Sequence, residues 1–298
     1  MGFDLIAIGE GMVEFHADGH GLSGDLFRRG FAGDVVNTLI HASRQGLNVA
    51  LISRIGDDAF APMLCKAWQD EGIDLSHAPV VPGDNGMYFI LTDEKGEREF
   101  IYRRAGSAAC GLGPDDLDAA FLGAAKIVLL SGITQAVSAS AEALIRAASR
   151  LPGVSAYDPN YRPKLWARRG GIAAAQAAFV DVAPHVKWIM PSYPADLVLI
   201  GADESLPAPE ALHRFAALGP NVALKWGDQG VLLSVGGAVC HVPAAPVAKV
   251  VDSTGAGDAW NAAFLSGLIR GQVPDQAAAS ANAYAALTLG FRGAIPPR

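Results

Sequence analysis

Short apolar runs rich in β-branched residues alternate with segments of helical period along nearly the whole chain. The runs at 3–9, 48–55, 126–131, 153–158, 186–191 and 221–226 read as strands. Apolar spacing predicts helices near 34–46, 58–71, 114–123, 138–150, 170–181, 207–218, 257–270 and 275–289. Strand–helix alternation with near-continuous apolar strands predicts an α/β fold, a mostly parallel sheet covered on both faces. Ligands of such sheets gather at the carboxyl ends of the strands. Two stretches break the alternation. Residues 10–33 carry Gly, His and charge without a helical period. Residues 80–105 read as strand–turn–strand, with Met87–Thr92 and Glu97–Arg103 on either side of the turn Asp93–Gly96. Together they predict a small β-sheet lid, with segments near 10–33 and 80–106 inserted in one domain spanning 1–298.

Composition narrows the functional classes. Of 298 residues, 51% are hydrophobic types and 18% charged, which excludes a disordered chain. Lys and Arg number 23 against 30 Asp and Glu, a net charge of −7, so no overall basic field serves nucleic acid or an acidic membrane surface. The three cysteines, Cys65, Cys110 and Cys240, are far apart and form no C-x-x-C pair. That argues against a disulfide scaffold or zinc ribbon and fits a reducing, cytoplasmic compartment. Asp4 stands where a signal peptide needs positive charge, and no run approaches a membrane-spanning length. His16, His20 and Glu14 lie in a Gly-rich stretch without H-E-x-x-H order, so no metal-ligating set is assigned.

The strongest chemical signal is Asp252-Ser-Thr-Gly255-Ala256-Gly257-Asp258, between the extended run Pro246–Val251 and a helix with a buried pattern. Glycines at such a turn let backbone N–H groups converge, and the helix N-terminus adds partial positive charge. The turn suits a phosphate or developing oxyanion, with Asp258 placed as a general base. Read locally, the same residues also suit a tight turn and a first-turn acidic charge. The segment is not a Walker A loop, since Gly-Lys occurs nowhere, and Trp260 stands where G-x-G-x-x-G needs its last glycine.

The segment resembles the D-T-x-G-A-G-D signature of the ribokinase-like (PfkB) carbohydrate kinases. Ala32-Gly33-Asp34-Val-Val-Asn37 is similar to that family's G-G-x-x-x-N signature, and Lys225-Trp-Gly227-Asp-Gln-Gly230 to its K-x-G-x-x-G turn. Gly9-Glu10-Gly-Met12, Tyr102-Arg-Arg104-Ala-Gly-Ser107, Ser131-Gly-Ile-Thr134 and Asp158-Pro-Asn160-Tyr-Arg162 look like the 2-keto-3-deoxygluconate kinase branch. The resemblance implies a three-layer α/β/α sandwich with a β lid and ATP-dependent phosphorylation of a sugar acid at its terminal hydroxyl. It implies Asp258 as base and the Gly255, Ala256 and Gly257 amides as anion hole. Gly33, Asp34, Asn37, Tyr88, Tyr102, Arg104 and Arg162 would hold the sugar acid. Lys225, Gly227, Gly230 and Asn282 would line the nucleotide. Mg2+ would accompany ATP, and a monovalent cation remains open. The lid's open edges and apolar residues Phe89, Leu91 and Ile101 predict a homo-oligomer through the lid.

Three departures bear on this. Ala32 replaces a glycine, Ser253 a threonine, and Pro191–Asp196 lacks both the Asn and the Glu of the family's N-x-x-E motif. A neutral-sugar kinase, a kinase of another sugar acid, and a sugar-acid sensor without turnover remain the alternatives.

Overall fold

The computed structural model describes residues 2–21, 25–93 and 98–297. The chain enters through β1 (Phe3–Ile8), then leaves the main sheet for β2 (Met12–His20) and β3 (Phe27–Ala32). It returns by helix α1 (Asp34–Arg44) to β4 (Val49–Ile52), passes the short β5 (Ile55–Gly56), and runs through α2 (Ala61–Asp70) to β6 (Ile73–His77). A second departure forms β7 (Val80–Val81), β8 (Met87–Thr92) and β9 (Arg98–Arg103). The main layers resume with α3 (Ala119–Gly123), β10 (Ala125–Ser131), α4 (Gly132–Val137), α5 (Ala139–Ser149) and β11 (Ser155–Asp158). Then come α6 (Pro163–Trp166), α7 (Gly171–Val182), β12 (Trp188–Ile189), α8 (Ala208–Ala216) and β13 (Asn221–Lys225). The hairpin β14 (Val231–Val235) and β15 (Ala238–Val242) precedes the closing helices α9 (Ala256–Ile269) and α10 (Pro274–Thr288).

The main sheet has the order β15-β14-β13-β12-β11-β10-β1-β4-β6. It is parallel from β13 to β6, and antiparallel where β14 and β15 close one edge. Alternation along β1 explains the layering. Leu5 and Ala7 join one buried cluster with residues of α1, α2, α9 and α10, while Ile6 and Ile8 join another with α5, α7 and α8. The lid is a separate sheet of order β3-β2-β8-β9. Its inner cluster is Met12, Ala32, Tyr88 and Ile90, and Phe15 stacks on Phe89 with centroids 5.3 Å apart. Among the described residues, no helix is long and apolar enough to cross a membrane.

Several elements differ from the pattern reading. The helix expected at 114–123 divides into a 3-10 turn at Pro114–Asp116 and α3, because the Asp118 carboxylate accepts from Phe121 N at 2.9 Å and starts a new helix. The strand expected at 48–55 stops at Ile52, and 186–191 shortens to Trp188–Ile189. The run Pro246–Val251 joins no sheet; Val251 N–H donates to Leu289 O at 2.8 Å instead. Of the turn Asp93–Gly96, residues 94–96 lie outside the described residues. The strands on either side of it pair antiparallel, as the alternation predicts.

Candidate active site

Two helix starts build the centre. At the first, α1 begins after Gly33, where a Cβ would collide with the backbone oxygen of Glu10, so a side chain there would push α1 off the end of β1. This sets Asp34 at the first helical position, where its carboxylate accepts from Ser131 Oγ at the end of β10. Asn37 and Thr38, one turn on, lie on the same side of α1. At the second start, Gly255 has φ 73°, and a Cβ on it would come within 2.6 Å of the Ala294 side chain. Only glycine meets both demands.

The motif predicts an anion hole of three amides. Ala256 N–H is already taken by Ser253 O at 3.2 Å, closing the turn that starts α9. The N–H groups of Gly255 and Gly257 find no acceptor among the described residues, as expected at a helix start. Two of the three amides are therefore open in this structure. At Gly257 the nearest atom to an added Cβ is Lys225 Nζ, at 3.9 Å, so this backbone is open and an ammonium overlooks it.

Asp258 follows directly. Its Oδ2 accepts from Asn37 Nδ2 at 2.8 Å, and its backbone oxygen accepts from Thr38 Oγ1 at 3.3 Å. Burial and the Asp34 and Asp158 carboxylates push the Asp258 carboxyl up to about 8, while Asn37 and Lys225 pull it down. Burial likewise raises Asp34 above the usual carboxylate range, against its bond from Ser131. Lys225 Nζ lies 2.8 Å from Asp158 Oδ2 and 3.2 Å from Asn261 Oδ1, and Asn261 Nδ2 donates to the same Asp158 oxygen at 2.6 Å. Asp34, Thr38, Ser131, Asp158, Asp258 and Asn261 line one tight crevice.

The lid supplies the other wall. Tyr88 is buried and donates its hydroxyl to the Glu14 carboxylate, and its ring stacks on Tyr102 at 5.5 Å. Tyr102 is 42% exposed. Burial raises its hydroxyl pKa while Arg162 and Arg104 pull it down and Asp34 pushes it up, so these four groups share one electrostatic neighbourhood. Arg162 is exposed at the N-cap of α6. Arg104 is not a free cation: its Nη2 lies 2.5 Å from Glu10 Oε2, and Ser107 Oγ donates to Glu10 Oε1 at 2.7 Å. Its buried Nε has no hydrogen-bond partner among the described residues.

Of the residues expected at the nucleotide, Gly227 (φ 54°) opens the turn between β13 and β14 with free space where a side chain would be. Gly230 and Asn282 are both tied into the packing around Val242. A Cβ on Gly230 would strike the backbone oxygen of Val242. Asn282 gives its amide hydrogens to Val242 O and Pro243 O and accepts from Trp260 Nε1 at 2.8 Å. Asp158 and Asn261 complete the centre, although the sequence reading assigns neither of them a role. Asn261 lies three residues after Asp258 on α9, a spacing that puts both on one helix face, and Asp158 ends β11 where ligands gather. Asp196, in the place of N-x-x-E, is buried and accepts from Ser192 N and Tyr161 N at 2.7 and 2.9 Å. Burial and the Asp158 carboxylate push it up to about 6. No group of three His, Cys, Asp or Glu among the described residues is arranged to hold a metal ion.

Residues 3–298 match the pfkB family carbohydrate kinase. The chain belongs to this family. The 2-dehydro-3-deoxygluconokinase of Thermoproteus tenax is 33% identical to this pfkB-family kinase over 296 residues, covering 97% of this chain and 89% of the relative. That of Dickeya dadantii (strain 3937) is 33% identical over 313 residues, covering 99% and 97%. The fold is ribokinase-like. The PfkB protein from Polaromonas sp. JS666 superposes with a TM-score of 0.86 at 28% identity, covering 95% of this chain and 94% of that one. A putative ribokinase II from E. coli, solved in complex with ATP and Mg2+, gives a TM-score of 0.86 at 25% identity over 98% and 94%.

Proposed function

We propose that this pfkB-family kinase transfers the γ-phosphoryl group of ATP to the terminal hydroxyl of 2-keto-3-deoxygluconate, giving the 6-phosphate and ADP. The observation that carries this reading is the pairing of two walls. Asp258 and the open amides of Gly255 and Gly257 lie on one, while Arg104, Arg162 and Asp34 all act on Tyr102 on the other. A sugar acid needs both: cationic donors for its carboxylate, and a base with an anion hole for its reacting end.

In the step itself, the Asp258 carboxylate accepts the proton of the sugar hydroxyl as its oxygen bonds to the γ-phosphorus. The bond from that phosphorus to the β–γ bridging oxygen breaks, and ADP leaves with the electron pair. Asn37 fixes the Asp258 carboxyl by its bond to Oδ2, leaving Oδ1 for the substrate. A base raised to about 8 binds the transferred proton more strongly than an ordinary aspartate, which favours transfer near neutral pH. Gly255 and Gly257 N–H, with Lys225 beside them, oppose the charge that spreads over the phosphoryl oxygens. The donor set suits a Mg2+ ion carried mainly by the nucleotide. The Asp158 carboxylate raises that of Asp196, a repulsion that a divalent cation would relieve, and this ion takes few protein ligands when phosphates supply the rest. Bound there, Mg2+ would neutralise phosphate charge. The lid excludes water that would otherwise compete as acceptor.

The test is ADP release with Mg-ATP across a panel of sugar acids and matched neutral sugars. Turnover confined to 2-keto-3-deoxygluconate and close analogues supports the reading. Preference for a neutral sugar such as fructose overturns it, an outcome that the neutralisation of Arg104 by Glu10 makes worth testing. ATP turnover with none of them points to a sensor.

A further inference from the structure

The lid touches the phosphoryl side of the cleft through a residue that takes no part in the transfer step. Arg98 opens β9, at the opposite end of that strand from Tyr102. Its guanidinium reaches across to the Gly-rich loop, where Nη1 pairs with Asp252 Oδ1 and donates to Thr254 Oγ1 at 2.7 Å. Asp252 is the pivot of that loop. Its Oδ1 also accepts from Thr254 N at 2.8 Å, and its Oδ2 accepts from Gly293 N at 2.6 Å. The Asp252 side chain is 2% exposed, whereas that of Arg98 is 21% exposed. Glu14, the carboxyl that also feels Arg98, is engaged by Tyr88.

The energetics of this contact are one-sided. A seated lid gives the buried Asp252 its cation. A displaced lid would take from Asp252 the cation it pairs with and leave it the N–H donors of Thr254 and Gly293, while Arg98 regains water. Burial works to raise the Asp252 carboxyl, yet Arg98 and the N–H groups of Gly293 and Thr254 overcome it and hold it at about 2, so it is ionised across the working range. The loop that Asp252 organises runs directly into the open amides of Gly255 and Gly257.

We propose that Arg98 is a positioning residue for phosphoryl transfer: by clamping Asp252 and Thr254 it sets the Gly255 and Gly257 amides, so the anion hole is formed only when the lid is seated. This rests on the kinase reading for its consequence in turnover, but not for its structural content. The lid thereby links two events. Covering the sugar with Tyr102 and ordering the loop that receives the phosphoryl group become one motion, which discourages phosphoryl transfer to water when the sugar site is open.

The test compares wild type, Arg98→Ala, Arg98→Lys and Asp252→Asn by two readouts. The first is backbone hydrogen exchange of segments 98–103 and 252–257 in the free protein, which needs no substrate. Arg98→Ala should speed exchange in both segments, and Arg98→Lys should fall between it and wild type. The second is ADP release on whichever sugar the wild type turns over best. The kcat of Arg98→Ala should fall about 10- to 100-fold with KM for the sugar changed by less than about 3-fold. Millimolar guanidinium should restore part of the kcat of Arg98→Ala but not that of Asp252→Asn. Unchanged exchange in 252–257 overturns the proposal, as does a loss confined to KM or equal rescue of both variants. If Arg98→Ala does not fold, the same comparisons with Arg98→Lys decide. Absence of turnover by wild type on every sugar sinks the kinase reading, and the exchange result still decides whether the clamp exists.

Discussion

Replacing Asp258 by asparagine should disable the enzyme and stabilise the fold, and the second effect should depend on pH in a defined way. A carboxyl moved from 3.8 to about 8 holds its proton more tightly in the folded chain than in the unfolded one by about 6 kcal/mol, which solvent screening at this half-buried side chain reduces to about 2–4 kcal/mol. Between those two values the folded state binds more protons than the unfolded state, so this residue makes stability fall as pH rises from about 4 to about 8. The side-chain amide of the Asp258→Asn variant cannot ionise and feels none of this. It keeps the shape of the site and its contact with Asn37. At this chain length 1 kcal/mol corresponds to about 2 °C in Tm. The variant should therefore melt close to wild type near pH 4 and about 4–8 °C above it near pH 9. Turnover should drop by about 10²- to 10⁴-fold, because the proton acceptor is gone. Thermal melts of both proteins across that pH range, with ADP release on the same samples, measure the two effects together. A variant that melts at or below wild type near pH 9 refutes the crowding of Asp258 by Asp34 and Asp158. One that turns over normally refutes its role as base and returns it to a first-turn charge.

Arg162→Ala should lower kcat/KM for 2-keto-3-deoxygluconate by about 10- to 150-fold and that for the matched neutral sugar far less; equal losses make the arginine structural. Arg104→Ala should do the same only when paired with Glu10→Gln, since the single change strands a buried Glu10 carboxylate. Lys225→Met removes a cation that pulls Asp258 down, so the acid limb of the kcat/KM profile should move to higher pH and the rate near pH 7 fall about 10²-fold; a limb that stays in place tells against the coupling. Light scattering should show a homo-oligomer joined through the lid. Leu91 is buried and Phe89 stacks on Phe15, so pairing would rest on the outer edges of β3 and β9, unpaired among the described residues, and on Phe27, 39% exposed; a clean monomer rejects it.

How far the sequence could be read follows from which interactions are local. The inner strand β4, Val49–Ile52, is a continuous apolar run and stands out, because both of its faces are buried. The edge hairpin is harder. Four of the five residues of β15 are exposed, so no apolar run marks it, and its clue is only the Gly236-Gly237 turn, with φ 55° and 87°. At the site, the helix starts at Gly33 and Gly255 are legible because close approach and left-handed backbone leave glycine as the one solution. What the sequence hides is pairwise and distant. Arg98 and Asp252 lie 154 positions apart, and no periodicity links a lid strand to that loop. Motif spacing presents Ala256 as a ligand amide because it does not tell which N–H a turn consumes. Nor does it show that the Asn282 amide bonds Trp260 and the chain at Val242 and Pro243.

The carboxylates explain why such a site must be imposed on the chain rather than chosen by it. Asp34, Asp158, Asp196 and Asp258 are raised by burial or by one another's charge, or act on those that are. Left to themselves they would separate into water. They are held together because each is the terminal residue of a strand or opens a helix or turn whose position is decided elsewhere. Asp158 ends the fully buried β11, Asp34 and Asp258 ride on helices packed into one face of the sheet, and Asp196 is pinned by two backbone donors. Lys225 offsets part of the repulsion, and hydrophobic burial on both faces of the sheet carries the remainder. The stability given up at the cleft is the source of its chemistry. A carboxyl that resists ionisation becomes a good proton acceptor once its charge is enforced.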